Sequence, residues 1–172
     1  METSMSQRET NSSLSSHTPT TLARQEHSST PSLDDYVVRG VLADQLPKLW
    51  KHGESFVKRA LDHANGEMDH HCIRAFCEQR QMQLWLVGYQ GRVVAAATTE
   101  IVCYPMKKVV RVVTLAGKDM ELWAPLLDKA LEAWGLQLGC EGIECYVRSG
   151  LTKKLASLGY NKKYENCYRQ IL

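Results

Sequence analysis

Gln83-Leu84-Trp85-Leu86-Val87-Gly88-Tyr89, the link Gln90-Gly91, and the run at 92–103 form the stretch whose reading decides the fold. Both runs are rich in β-branched, aromatic and small apolar residues, and a short Gly-containing link between them suits a hairpin. After Tyr104-Pro105 a third run of the same kind, Val109-Val110-Arg111-Val112-Val113-Thr114-Leu115, occupies 108–115. Three successive strands predict an antiparallel meander.

Downstream the period changes. Met120, Trp123, Leu127, Ala130, Leu131, Trp134 and Leu138 recur at spacings of three and four, one face of a helix of about five turns. Gly139 ends it. A short strand is expected at 143–147, then a short helix lined by Leu151, Leu155 and Leu158 and closed by Gly159, then a last strand at 163–171. A right-handed strand–helix–strand crossover sets the fourth and fifth strands side by side in parallel. Upstream, Tyr36-Val37-Val38-Arg39 has strand composition. Residues 42–63 show helical spacing through Leu46, Leu49, Trp50, Phe56, Val57, Ala60 and Leu61, with Pro47 in the first turn. Gly66 interrupts, and 71–80 reads as a second helix through Cys72, Ile73, Phe76 and Cys77. The order is β-α-α-β-β-β-α-β-α-β, an α/β domain with a mixed sheet over 33–172.

Residues 1–32 are close to half Ser and Thr, with Pro19 and Pro31 and almost no aliphatic side chains. They cannot bury enough apolar surface to offset the entropy of ordering, so a disordered arm is expected. Glu2, Glu9 and Glu26 argue against an organellar transit peptide.

With 172 residues, 44% hydrophobic and 23% charged, the chain suits one globular domain behind that arm. Its 21 basic and 19 acidic residues are spread along the chain, which disfavours nucleic acid as a partner. No run approaches the ~18–20 apolar residues that span a bilayer, and no apolar secretory core opens the chain, so a soluble cytoplasmic protein is expected. The six cysteines follow no C-x-x-C pattern and most fall in apolar segments, which predicts reduced thiols without a disulfide framework.

The element order resembles that of the GNAT acyl-CoA N-acyltransferase superfamily over 33–172, and Leu151-Thr152-Lys153-Lys154-Leu155-Ala156-Ser157-Leu158-Gly159-Tyr160 is similar to its short helix ending in Leu-Gly-Phe or Leu-Gly-Tyr. A narrower likeness is to GNAT-like proteins encoded among structural genes of tailed bacteriophages. It rests on Gln83-Leu84-Trp85, Thr99-Glu100-Ile101, Tyr104-Pro105, Gly117 and Gly159-Tyr160. The resemblance implies acetyl-CoA as co-substrate and an amine as acceptor. The narrower likeness also implies a non-catalytic alternative: a virion assembly protein in the host cytoplasm or on the particle, docking on other phage proteins through its arm.

The family binds pyrophosphate on backbone N–H groups at a strand-to-helix turn, where a helix start has unpaired donors and partial positive charge. By that resemblance Leu115, Gly117, Lys118, Asp119 and Met120 are the cofactor-binding candidates. The loop keeps one glycine of the family's Gln/Arg-x-x-Gly-x-Gly/Ala pattern and puts the acids Asp119 and Glu121 beside it. Without a ligand, Asp119 reads as an N-cap and Glu121 as a first-turn acid.

Family members often protonate the leaving thiolate with a tyrosine at the position of Leu155, so Tyr146 and Tyr160 are the replacement candidates. Glu100, on the alternating face Val94, Ala96, Thr98, Glu100, Val102, is the candidate base, with Glu144 on Glu144, Tyr146, Arg148 beside it. The competing reading for both carboxylates is an ion pair with Arg111 or Arg148.

His63, Glu67, Asp69, His70, His71 and Cys72 include metal-ligand types, but Gly66 and the adjacent His70-His71 break any single helical face, so no metal site is expected. Trp50, Trp85, Trp123 and Trp134 sit among apolar neighbours and read as core. Lys107-Lys108, Lys153-Lys154 and Lys162-Lys163 read as solvated charge.

Overall fold

In a computed structural model of the chain, residues 35–64, 66–165, 167–169 and 171 are described. The arm expected at 1–32 lies outside them.

β1 (Tyr36–Val41), β2 (Met82–Tyr89), β3 (Arg92–Tyr104) and β4 (Lys107–Gly117) pair antiparallel in sequence order. β5 (Gly142–Cys145) adds in parallel to β4 after the crossover helix α3 (Met120–Gln137). The meander and the parallel fourth and fifth strands are as the sequence predicts. The turn between β2 and β3 holds Gln90 at φ 47° and Gly91 at φ 74°, the positive dihedrals that a two-residue hairpin link requires.

One sheet face carries α1 (Leu46–Leu61) and α2 (His70–Glu78) over Leu84, Leu86 and Ala96. α1 turns Leu46, Trp50, Gly53 and Val57 inward, the three- and four-residue spacing of one helical stripe. Asp69 starts α2 by accepting a hydrogen bond from the Cys72 N–H at 2.8 Å, an N-cap. On the other face α3 buries Trp123, Ala124, Leu127 and Leu131 over Trp85, Val87, Ala95 and Ala97. A Cβ on Gly135 would stand 2.8 Å from Val110 Cγ2, so the glycine lets α3 approach β4 closely. Buried polar groups are paired within the core: Trp85 Nε1 donates to Thr99 Oγ1 at 2.9 Å, and the Thr98 and Thr114 hydroxyls lie 2.7 Å apart.

The C-terminus departs from expectation. After α4 (Ser149–Ala156) the described residues contain no strand, so the last strand expected at 163–171 is absent among them. Tyr164, Tyr168 and Ile171, whose pattern suggested it, are 83%, 81% and 89% exposed. Side chains this exposed gain little burial to offset the cost of ordering an extended strand. β5 is also shorter than expected, and Tyr146 lies just past its end.

Candidate active site

The β4–β5 pairing runs from Val109↔Gly142 to Val112↔Cys145 and stops, while β4 continues to Gly117. At that point the β3–β4 register changes from Thr98↔Thr114 to Thr99↔Val112, leaving Val113 as a bulge. A bulge bends its strand and increases local twist. The β5-facing edge of 113–117 therefore has no β5 partner, and it leads into the N-terminus of α3.

The five cofactor-binding candidates line this strand-to-helix junction. Leu115 and Met120 pack into the apolar cluster beneath α3. The Lys118 carbonyl accepts from Trp123 Nε1 at 2.6 Å. Gly117 has a structural reason of its own. An added Cβ would meet Ala95 Cβ at 2.4 Å and Trp123 Cζ2 at 2.6 Å, so this site is closed to side chains by the core rather than by a ligand. Asp119 occupies the N-cap position but in the left-handed region, φ 52° and ψ 48°, and its side chain makes no capping bond. The expected side-chain cap is thus corrected, because capping residues ordinarily sit in the extended region that turns the side chain onto the following N–H groups. Glu121 is a first-turn acid and pairs with Lys154 of α4, which holds its carboxyl below the usual range.

Glu100 and Tyr146 come together on the α1 face around Arg111. The guanidinium reaches Glu100 Oε1 from Nη1 at 3.1 Å and Glu144 Oε1 from Nη2 at 2.8 Å. It also donates to the Tyr104 hydroxyl at 2.9 Å, and the Tyr146 ring lies 5.1 Å from its carbon. Tyr104 in turn donates to Glu144 Oε1 at 2.9 Å. Burial alone pushes the Glu144 carboxyl up, but the hydrogen bonds from Arg111 and Tyr104 outweigh it and hold the group below its ordinary value. Burial also works against the Arg111 charge, and Glu144 and Tyr104 more than restore it. Arg111 rather than Arg148 is the partner of both carboxylates.

Tyr160 is not part of this cluster. Its hydroxyl donates to Asp128 Oδ1 of α3 at 2.7 Å, and burial, with that bond, pushes the phenol far above its ordinary value. Cys145 stands near the same carboxylate, its thiol pushed up to about 11 by burial first and then by Glu144 and Asp128. Leu155, at the position of the family's tyrosine, is buried.

Two participants escaped the sequence reading. Tyr104 was legible as a turn, yet it continues the alternation Glu100, Val102, Tyr104 and so shares the Glu100 face. Asp128 had no signal, since only the packing of the segment after α4 onto α3 brings Tyr160 to it. Of the lysines, Lys107 lies over the Tyr104 ring and Lys108 donates to the Leu138 carbonyl. His70 stacks on His71 and reaches Glu54 at 3.4 Å, and among the described residues no group of three potential ligands is placed to hold a metal. No described helix is long and apolar enough to cross a membrane.

No family model and no curated protein matches the sequence. The shape does find relatives. An aminoglycoside acetyltransferase from an uncultured soil metagenomic sample, in complex with sisomicin, superposes with TM-score 0.61 at 11% identity, covering 81% of this chain and 98% of that one. Glucosamine-6-phosphate N-acetyltransferase from Arabidopsis thaliana gives 0.57 at 11%, covering 78% and 97%. The aminoglycoside acetyltransferase AAC(6')-Iy with a bisubstrate analogue gives 0.62 at 17%, covering 80% and 99%. With four strands in an antiparallel meander and a parallel β5 reached through α3, this chain has the GNAT-type acyltransferase fold that these solved acetyltransferases share.

Proposed function

We propose that the protein is an acyl-CoA-dependent N-acyltransferase that moves an acetyl group from acetyl-CoA to a primary amine. The observation that carries this reading is the end of β4–β5 pairing at Val112 and Cys145, directly before the start of α3. The edge of 113–117 that β5 leaves uncovered offers backbone groups to an amide-bearing arm, and the first turn of α3, where the Leu122 N–H donates to the Asp119 carbonyl and Asp119 places no side-chain cap, directs its N–H end toward phosphate. Lys118 and Lys154 offset Asp119 and Glu121 in charge. Neighbours of the same shape include an acetyltransferase in complex with CoA, which supports the co-substrate.

Acetyl-CoA supplies a thioester carbonyl: the amine nitrogen bonds to its carbon, the C–S bond breaks, and the thiolate takes up a proton. Glu100 accepts the proton lost by the amine, directly or through one water, with Arg111 orienting the carboxylate. Tyr146, exposed beside Arg111, returns a proton to the thiolate. Tyr160 is the poorer donor because its proton is committed to Asp128. A base already ion-paired and an acid on the open surface make for slow turnover, with proximity supplying most of the rate.

The test is a thermal-shift titration with acetyl-CoA, followed by mass-spectrometric detection of acetylated amines from a panel of aminoglycosides and diamines. Mass detection is needed because exposed Cys72, Cys103 and Cys167 would consume thiol reagents. A raised Tm and acetylated product support the reading; neither, at millimolar acetyl-CoA, removes it.

The packing at Gly117 and the acids beside it favour a second reading, a non-catalytic phage virion assembly protein whose arm at 1–32 docks on other virion proteins. Absence of any acetyl-CoA shift, together with co-sedimentation of the full chain but not of 33–172 with particles, selects it.

A further inference from the structure

On the α1 face, well away from the Arg111 cluster, a cavity of about 730 Å³ opens between α1 and the start of β1, the end of β2 and the start of β3. Its volume is in the range of small-molecule sites, ~300–1,000 Å³. Its lining divides cleanly by chemistry. Leu49, Phe56, Leu86 and Val93 form an apolar floor, buried or half-buried. Arg39, Lys51, His52 and Arg92 stand exposed around it, and among the described residues no carboxylate lines the cavity.

Two of the nearby groups are fixed by their own bonds. Arg39 donates to Gln45 Oε1 at 2.6 Å, a neutral acceptor that orients the guanidinium without cancelling its charge. The acid on the adjacent turn of α1, Glu54, is engaged by Lys58 at 2.9 Å and by His70 of α2, away from the cavity. Gly88 adds room: a Cβ there would have nothing closer than 3.8 Å.

From this we infer that the cavity between α1 and the β1–β2–β3 end of the sheet binds a small organic anion, one carboxylate, sulfonate or phosphate group on an aryl or alkyl frame. The frame lies on Leu86, Val93 and Phe56, and the anionic group meets Arg39, Lys51 and Arg92. Like-signed groups around a low-dielectric floor focus their field on an opposite charge. The site is separate from the acyl-transfer cleft and does not depend on that reading.

Calorimetric titration of the full chain with three naphthalenes of matched frame decides it: naphthalene-2-sulfonate, 2-naphthol and 2-naphthylmethylammonium. The expected result is one sulfonate site per chain, weakening with salt, with the neutral and cationic probes at least about tenfold weaker. Two variants locate it. The double reversal Lys51→Glu with Arg92→Glu should cost the sulfonate at least about tenfold. Gly88→Leu, which fills the cavity and leaves every charge in place, should remove binding while the melting curve stays cooperative. Equal binding of all three probes, or sulfonate binding untouched by both variants, overturns the inference, as does the absence of sulfonate binding.

Discussion

Arg111 holds Glu144 through two nitrogens, Nε at 2.9 Å and Nη2 at 2.8 Å, both on the same carboxylate oxygen. The pair ties β5 to β4 one position before the last registered pair, Val112 and Cys145, after which the strands lose their pairing.

Because the folded Glu144 carboxyl lies below its ordinary value near 4.5, its contribution to stability is present above that pH and is lost as pH falls through the lower, folded value. Tm should therefore rise between about pH 2 and 5. Arg111→Met should cost about 1–3 kcal/mol at pH 7 and flatten that rise. A steep acid limb that is unchanged in Arg111→Met would assign it to other carboxylates.

Gly117→Ala should destabilise the domain by about 1–3 kcal/mol, the cost of forcing a methyl into a packed core. Denaturant melts check it without any ligand. A variant as stable as the parent would mean that Ala95 and Trp123 yield freely, and would return the glycine to a ligand-binding explanation.

Removing the Tyr160 hydroxyl should leave catalysis intact and cost about 1 kcal/mol, a lost hydrogen bond to Asp128. The phenol's folded value is raised, so its stabilisation is present below its ordinary value of 10.0 and is lost as pH rises beyond it. Tyr160→Phe should accordingly soften the alkaline loss of Tm. A large drop in kcat in this variant would make Tyr160 the proton donor after all.

Glu100→Gln should lower kcat at least about tenfold, the lower part of what general base help supplies, with acetyl-CoA affinity unchanged because the carboxylate lies off the β4–α3 junction. An unchanged kcat removes Glu100 from the chemistry and leaves it as Arg111's partner alone.

Iodoacetamide at pH 8 should label Cys72, Cys103 and Cys167 quickly and Cys77, Cys140 and Cys145 slowly, since the first three are exposed. Burial holds Cys77 up at about 12 and Cys145 at about 11, so neither offers much thiolate. Peptide mapping of the labelled protein reads this directly.

Local pattern alone determined the element order as far as α4, the meander from Met82 to Gly117, the α3 stripe and the parallel β5. Side-chain period follows from backbone geometry and needs no partner to be legible. Glu100 and Glu144 were legible as face-sharing carboxylates for the same reason. What the tertiary structure decided is where unlike segments meet. It joined Glu100, Arg111 and Glu144 through strand register, gave Tyr160 to Asp128 across the packing of the segment after α4 on α3, and made Gly117 a matter of space against Ala95 and Trp123. It also left 163–171 without a strand among its described residues, because alternation supplies a face to bury but not the neighbouring edge with which a strand must pair.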